Sequence, residues 1–295
     1  MNFLLQLLNG LQIGSIYALV ALGYTMVYGI ALLINFAHGE IIMIGAYTVV
    51  FSIQLIFAGT DIPYVFAIIP TVIICTLVGM LIERLAYKPL RNSPRISNLI
   101  TAIGVSLLLQ NTMMKVFGAQ SRSVPKIFDH KPIEVFGANI SISTIVTIFV
   151  TLVLTISLQI FMKKTKYGKA MVATSEDYGA ASLVGINVDS TLTLTFAIGS
   201  ALAGVASLLY VSSYPQAAPL MGSMLGIKAF TAAVVGGIGL IPGAVLGGLI
   251  LGILEALTKA FISSRLSDAI VFGLLILVLL IRPGGLLGED HKEKV

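Results

Sequence analysis

Residues 3–34 read FLLQLLNGLQIGSIYALVALGYTMVYGIALLI, a stretch without a single charged side chain. A transmembrane helix needs about 20 consecutive apolar residues, so this stretch alone is long enough to cross a bilayer. The whole chain has the same character. Of its 295 residues, 57% are hydrophobic and 11% are charged, whereas soluble domains average about 25% charged residues. This composition excludes a soluble enzyme, a disordered scaffold and a nucleic-acid-binding domain.

Further apolar runs repeat the pattern along the chain. They span residues 40–58, 63–86, 97–117, 140–162, 191–213, 225–258 and 266–281. Strands of a membrane barrel would instead alternate in hydrophobicity over about ten residues. The sequence therefore predicts an all-α polytopic membrane protein with about eight transmembrane helices, forming a single domain over residues 1–295.

The run 225–258 is interrupted at Gly239-Leu240-Ile241-Pro242-Gly243. Proline and glycine together break a helix, and broken helices in membranes are buried in protein or line a cavity. The region is therefore either one crossing with a broken or re-entrant helix near 225–243, or two crossings. The side of the membrane on which Val295 lies depends on this choice, which the sequence leaves open.

Two basic loops predict the orientation. They are 84–95, with Arg84, Lys88, Arg91 and Arg95, and 163–169, with Lys163, Lys164, Lys166 and Lys169. Because short loops rich in Lys and Arg stay in the cytoplasm, we expect both on that side. The mixed-charge loop 118–139 then lies outside, as does the N-terminus.

Glycines recur at four-residue spacing along the apolar runs. Three pairs and one set of three have this spacing: Gly10/Gly14, Gly222/Gly226, Gly248/Gly252 and Gly239/Gly243/Gly247. Small residues at this spacing let membrane helices approach closely. The pattern indicates tight packing within the chain or, alternatively, a subunit interface or moving gate near 236–252.

Motifs for nucleotide hydrolysis and metal binding are missing from the sequence. No phosphate-binding loop of the type G-x-x-x-x-G-K-[ST] occurs, and neither does H-E-x-x-H. The single cysteine, Cys75, offers neither a disulfide nor a cysteine-based metal site. We therefore expect no cofactor on this chain and no enzymatic activity; active transport would draw its energy from a partner or from an ion gradient.

Three positions are candidates for function, and the first is Asn35-Phe36-Ala37-His38-Gly39-Glu40. Ionisable residues within a membrane are costly and mark a transport pathway by default. Asn35, His38 and Glu40 are therefore candidate pathway residues. The alternative is an ordinary cytoplasmic turn with solvated His38 and Glu40.

The second candidate is the segment 163–190. Small or apolar residues recur at helical spacing over 169–184, which predicts a short helix too polar to span a membrane. Gly185 is suited to end this helix, and Asp189 or Ser190 to cap the next one at 191. The functional interpretation is a docking helix for a soluble cytoplasmic partner; the alternative is an amphipathic helix resting on lipid.

The third candidate is Lys228 with Glu255 and Lys259. Glu255 and Lys259 are four residues apart with the acid first, the favourable order for a helical ion pair. A simple pair near a helix end explains them, and Lys228 either snorkels to the interface or pairs inside the bundle.

These motifs, in this order, resemble the permease subunits of branched-chain amino-acid ABC importers of the LivH type. The resemblance extends over nearly the whole chain. It rests on residues 35–40 with Gly45-Ala46, on Glu83-Arg84, on Gly168-Lys169-Ala170 through Gly185-Ile186-Asn187, on 230–239 with Pro242-Gly243-Ala244, and on Arg282-Pro283-Gly284-Gly285-Leu286-Leu287-Gly288.

The resemblance implies a multi-pass subunit of the bacterial inner membrane that works with other chains. The expected partners are a related LivM-type permease, two cytoplasmic ATPases that hydrolyse ATP, and an external substrate-binding protein. The segment matching 168–187 would couple to the ATPase. The residues carried over as coupling residues are Gly168, Ala173, Asp177, Ala181, Gly185 and Asn187.

Two alternatives remain on the sequence alone. Permeases of the same family also serve urea and short amides, so the substrate stays open. An ion-driven secondary transporter or channel acting alone would more naturally place a carboxylate deep in a span. Here the candidate carboxylates, Glu40 and Glu255, are both expected near helix ends.

Overall fold

The structure is a computed structural model that describes residues 3–91, 93–128, 132–135 and 138–288. Val295, whose side of the membrane the sequence left open, lies outside these residues. The described chain is a bundle of helices. These are α1 (Phe3–Ala31), α2 (His38–Phe51, extended by a π-helical turn to Phe57), α3 (Ile68–Ile82), α4 (Arg95–Phe117), α5 (Ile142–Lys164), α6 (Lys166–Glu176), α7 (Tyr178–Leu183), α8 (Val188–Ser213), α9 (Met221–Gly236), α10 (Ile241–Phe261) and α11 (Ser267–Ile281).

Short helical turns and two small ribbons complete the described architecture. The 3₁₀ turn Tyr64–Ala67 precedes α3, and the turns Glu83–Tyr87 and Lys88–Leu90 follow it. Strand β1 (Arg122–Ser123) pairs antiparallel with β4 (Gln216–Ala217), and β2 (Ile133–Val135) with β3 (Ala138–Ile140). Seven helices of the described chain, counted with these flanking turns, are long and apolar enough to cross a membrane. The predicted all-α polytopic membrane fold is confirmed.

Helix α1 forms the centre of the bundle and packs against α10, α8, α9 and α5. It is buried along most of its length, whereas α4 and α5 are mostly exposed. Glycines bring α1 and α10 together: a Cβ atom on Gly252 would overlap the backbone nitrogen of Gly14. The glycine pattern thus serves packing within the chain here, as one of the two interpretations predicted.

The break predicted near 239–243 is confirmed, but it begins earlier. Residues 237–240 separate α9 from α10, and Pro242 belongs to the first turn of α10, where a proline is tolerated. Helix α9 has 16 residues, or about 24 Å at 1.5 Å per residue, which is shorter than the roughly 30 Å hydrocarbon layer. The region therefore forms a short helix followed by a full-length one.

The two basic loops lie at the same end of the bundle. Arg91, which follows α3, forms an ion pair with Asp189 in the first turn of α8, and the hydroxyl of Tyr178 in α7 reaches the last carbonyls of α1. We call this the basic end, and the end that carries the β1–β4 ribbon the opposite end. The described C-terminal residues also lie at the basic end, since Leu286 and Leu287 donate backbone hydrogen bonds to Val235 and Gly236 at the end of α9, at 2.8 and 3.1 Å.

Candidate functional sites

The segment between α1 and α2 turns back into the bundle. After Ala31 the chain reverses at Leu32, which has a φ of 54°, and α2 begins at His38. The ring of His38 lies edge-on to Tyr24 of α1, with centroids 4.8 Å apart. His38 and Glu40 are each 1% exposed. The alternative of a solvated cytoplasmic turn is therefore wrong, because α2 starts at the depth of Tyr24 rather than at the surface.

Glu40 is held by neutral polar groups from two other helices. Its Oε1 accepts hydrogen bonds from Nε2 of Gln110 at 2.7 Å and from the hydroxyls of Ser106 and Ser223 at 3.2 Å each. Its Oε2 is buried without a hydrogen-bond partner among the described residues. We call these four residues the Glu40 cluster; it joins α2, α4 and α9.

Asn35 and His38 lie on the same buried segment as Glu40 but do not join this cluster. Asn35 Oδ1 accepts a hydrogen bond from the hydroxyl of Tyr87 at 2.9 Å. Its amide nitrogen and both ring nitrogens of His38 lack partners within the described part of the chain. Unpaired polar atoms are costly in a buried site, so these three nitrogens are candidates to hydrogen-bond a ligand or water.

The segment predicted as one helix over 169–184 is two helices. Asp177 separates α6 from α7, and its Oδ1 accepts the backbone N–H of Ala180 at 2.8 Å. An aspartate at an N-cap satisfies an otherwise unpaired N–H, which explains why the helix restarts there. The predicted stop is confirmed: Gly185 has a φ of 85°, and Ile186 donates a hydrogen bond back to Ala181 at 3.0 Å.

The predicted cap of the next helix is wrong. Helix α8 starts at Val188, and the cap is Asn187, whose Oδ1 accepts the N–H of Ser190 at 3.0 Å. Asp189 instead pairs with Lys88 at 2.8 Å and with Arg91. Because the carboxylate of Asp189 forms ion pairs with the loop after α3, Asn187 caps the helix instead.

The six residues predicted for coupling do not share one surface. Gly168 packs against the last turn of α5, and Ala181 is buried. Ala173 is half-buried, whereas Asp177, Gly185 and Asn187 are exposed. Asp177, Gly185 and Asn187 begin or end helices, so they determine the shape of the segment.

Of the large exposed apolar side chains on this segment, only Val184 is among the small or apolar residues at helical spacing on which the sequence prediction rests. Leu183 is 89% exposed and Val184 is 76% exposed, and Tyr167 and Val172 on α6 are also exposed. We call the adjacent residues Leu183 and Val184 the apolar surface. The signal was present in the sequence, since these large apolar residues flank the small ones on a segment too polar to span a membrane.

Tyr178 connects this segment to α1. Its hydroxyl donates to the carbonyl of Ala31 at 3.0 Å, and the carbonyl of Ile30 lies at 3.4 Å. Burial raises the pKa of Tyr178, while the positive charge of Arg91 opposes that shift. The hydroxyl therefore stays protonated near neutral pH and donates to carbonyls that the end of α1 leaves free.

Glu255 is the centre of a buried ion-pair network. Its Oε1 accepts hydrogen bonds from Nζ of Lys228 at 2.9 Å and from Nζ of Lys259 at 2.5 Å. Its Oε2 accepts a hydrogen bond from the hydroxyl of Tyr17 at 2.7 Å. The predicted pair of Glu255 and Lys259 is confirmed. Lys228 pairs inside the bundle and also reaches Asp268 at 2.7 Å, a partner that the sequence pattern did not reveal. We call these five residues the Glu255 network.

The expectation that Glu40 and Glu255 lie near helix ends needs correction. Glu40 is the third residue of α2, but that end of α2 is inside the bundle. Both carboxylates are at most 2% exposed. Among the described residues, no group of three or more His, Cys, Asp or Glu side chains could hold a metal ion.

A multi-pass helical bundle with buried ionisable clusters, and with a short non-spanning segment tied to its central helix, is typical of membrane transport proteins. The sequence matches, over residues 6–279, the family described as the permease component of branched-chain amino acid transport systems. The chain belongs to this family, as the sequence resemblance predicted.

Several relatives match the chain over nearly its full length. It is 46% identical to the high-affinity branched-chain amino acid transport permease LivH of Salmonella typhimurium strain LT2, covering 99% of this chain and 98% of the relative. It is 44% identical to BraD of Pseudomonas aeruginosa, covering 100% and 98%. A probable LivH of Methanocaldococcus jannaschii is 31% identical over 95% and 90%. No solved structure matches the chain.

Proposed function

We propose that this permease is one subunit of an ATP-driven importer for branched-chain amino acids in the bacterial inner membrane. The proposed substrate class rests on one observation, the 46% identity over nearly full length to a high-affinity branched-chain amino acid permease. Residues 1–295 would form a single transmembrane domain that supplies half of the translocation pathway. A LivM-type permease would supply the other half, and an external binding protein would deliver the substrate.

The apolar surface supports docking of a cytoplasmic ATPase. Leu183 and Val184 project from the basic end, outside the spanning helices. Exposed apolar residues grouped on a non-spanning segment mark interaction sites. A lipid-bound helix would need a continuous apolar face, whereas α7 has six residues and ends at a glycine turn.

The hydrogen bond of Tyr178 provides a route from the ATPase to the pathway. A movement of α7 would pull on the last turn of α1 through the carbonyl of Ala31. The segment after Ala31 leads within a few residues to Asn35, His38 and Glu40. Closure of the ATPase pair on ATP would thereby change the buried segment that we assign to the pathway. ATP is hydrolysed by the partner subunits, and this chain needs no cofactor.

The coupling role includes the residues that shape the docking segment. Asp177 and Asn187 cap helices, and Gly185 forms the turn that presents Leu183 and Val184. The other three coupling residues would act indirectly, by fixing the position of α6 and α7 on the bundle; they are Gly168, Ala173 and Ala181.

A second candidate function is transport by this chain alone, driven by an ion gradient. The observation that favours it is Glu40, a buried carboxylate without a salt bridge among the described residues. Gradient-driven leucine uptake by the purified chain in proteoliposomes would support this candidate, and strict dependence on ATPase subunits would exclude it. Uptake of urea or short amides in place of leucine by the assembled importer would change the substrate class.

The docking surface is tested by replacing Leu183 and Val184 together with alanine. Apolar anchors at the centre of an interface contribute at least about 2 kcal/mol. We therefore expect at least a tenfold loss of co-purifying ATPase and of ATP-driven leucine uptake. Because both side chains are largely exposed, the thermal stability of the permease should not change.

Ile262→Ala provides the matched control, since Ile262 is 65% exposed at the opposite end. This variant should retain its ATPase. If the double variant retains its ATPase as well, the apolar surface is not the docking site.

A further inference from the structure

A cavity of about 210 Å³ lies between α1, α8, α9 and α10, towards the opposite end of the bundle. Its lining combines apolar and aromatic side chains, such as Leu225 and Tyr210, with Lys228, Glu255 and Lys259 of the Glu255 network. Small-molecule sites typically combine an apolar wall with a few convergent polar groups.

The charged groups of the network retain hydrogen-bonding capacity. A lysine ammonium has three donors, and a carboxylate offers about four acceptor positions. Lys259 has one acceptor in the described structure and Lys228 has two, while Glu255 accepts three hydrogen bonds. Donors therefore remain on the two lysines for a ligand carboxylate, and an acceptor position remains on Glu255 for a ligand ammonium.

The charge balance of the network selects the kind of ligand. Lys228 and Lys259 are matched by Glu255 and Asp268. A buried charge without a partner is strongly unfavourable, so an added anion or cation would leave one charge uncompensated. A zwitterion adds one charge of each sign and keeps the site neutral.

The size of the cavity fits a small ligand. Its volume is about 210 Å³. It is below the range of about 300–1,000 Å³ common for drug-sized ligands. Tyr210, Tyr214 and Leu225 provide apolar area for an aliphatic side chain.

We propose that this cavity binds the substrate amino acid on its way through the subunit. Glu255 accepts a hydrogen bond from the α-ammonium, and Lys228 and Lys259 donate hydrogen bonds to the α-carboxylate. The assignment deepens, and rests on, the proposed amino-acid import. It adds a substrate contact within the permease, so that recognition is shared with the external binding protein.

Binding of radiolabelled leucine to the full chain in lipid nanodiscs, without the other subunits, tests this inference. Unlabelled leucine should displace the label, whereas 4-methylpentanoate, which lacks the ammonium, and isoamylamine, which lacks the carboxylate, should compete at least tenfold more weakly. Lys259→Gln should weaken leucine binding about tenfold, the value of one charge-assisted hydrogen bond. Because the side chain of Lys259 is 42% exposed, this variant should fold.

Arg265→Gln removes a positive charge from an exposed residue at the same end and should bind leucine as the unmodified chain does. Equal binding by Lys259→Gln and Arg265→Gln would overturn the proposal, and so would equal competition by the two analogues or no binding at all. ATP-driven leucine uptake by the assembled importer reports the proposed function separately. Uptake without binding to the isolated chain would overturn the cavity assignment alone, whereas absence of uptake would overturn the import function.

Discussion

Glu40 and Glu255 are both carboxylates buried inside the helix bundle, yet their surroundings differ in kind. Glu255 accepts hydrogen bonds from two lysines and a tyrosine hydroxyl. Glu40 accepts them from a side-chain amide and two serine hydroxyls. Charge is balanced within the chain at the first site. At the second site only neutral groups of the described residues contact the carboxylate. The comparison indicates that the charges of the Glu255 network compensate one another, whereas the charge of Glu40 has no counterion among the described residues.

The largest expected effect comes from Glu255→Ala. Removing Glu255 leaves the buried Lys228 with only the half-exposed Asp268 as an ion-pair partner among the described residues, and breaking a buried ion pair costs about 3–5 kcal/mol. We expect the free energy of unfolding, measured by denaturant titration in micelles, to fall by about this amount. A loss below about 1 kcal/mol, the level of an exposed ion pair, would contradict the structural role of the network.

The double variant Lys228→Met/Glu255→Met is the matched control. It replaces both charges with apolar side chains of similar length, an exchange that is often neutral or stabilising. Most of the stability lost in Glu255→Ala should return. If the double variant is as unstable as the single one, the loss comes from packing rather than from charge.

A smaller effect is expected from Gly252→Ala. The added methyl group would overlap the backbone of Gly14, so α1 must move away from α10, and forced overpacking costs about 1–3 kcal/mol. The movement would also stretch the hydrogen bond from Tyr17 to Glu255 while leaving the Glu40 cluster, on α2, α4 and α9, in place. Thermal unfolding of the purified chain measures the cost.

Gly273→Ala offers the comparison for this substitution. Gly273 lies on α11, and no heavy atom lies within 4 Å of the position that its Cβ would occupy. Alanine is the better helix former by about 0.5–1 kcal/mol, so this variant should be as stable as the original chain or more so. Equal destabilisation by both variants would exclude close approach of α1 and α10 as the cause.

The smallest effect on stability is expected from Glu40→Gln. The substitution keeps the oxygen that accepts from Gln110 and removes no ion pair among the described residues, so the free energy of unfolding should change by less than about 1 kcal/mol. The same measurement as for Glu255→Ala applies. A loss of several kcal/mol would mean that Glu40 is balanced by a cation, and the contrast between the two carboxylates would disappear.

Features decided by a few neighbouring residues could be predicted from the sequence. The glycine turn at Gly185 and the interruption between α9 and α10 both follow from local backbone preferences. The ion pair of Glu255 and Lys259 follows from helical spacing. Asp177 belongs to the same class, since aspartate is a preferred N-cap residue, although the prediction of one helix over 169–184 did not include this cap.

Features that depend on distant residues could not be predicted. Asn187 and Asp189 are both good capping residues, and the choice between them depends on Arg91, which is 98 residues away from Asp189 in sequence. The partners of Glu40 come from α4 and α9, and Asp268 of the Glu255 network comes from α11. Only the packing of the helices brings these groups together.

The backbone hydrogen bonds from Leu286 and Leu287 to the end of α9 have a practical consequence for protein engineering. These two residues supply N–H donors to Val235 and Gly236, carbonyls that the last turn of a helix cannot satisfy by itself. The chain after α11 therefore caps the C-terminal end of α9. An affinity tag or fluorescent fusion belongs after residue 288. A junction before Leu286 would remove both hydrogen bonds and leave the carbonyls at the end of α9 without partners.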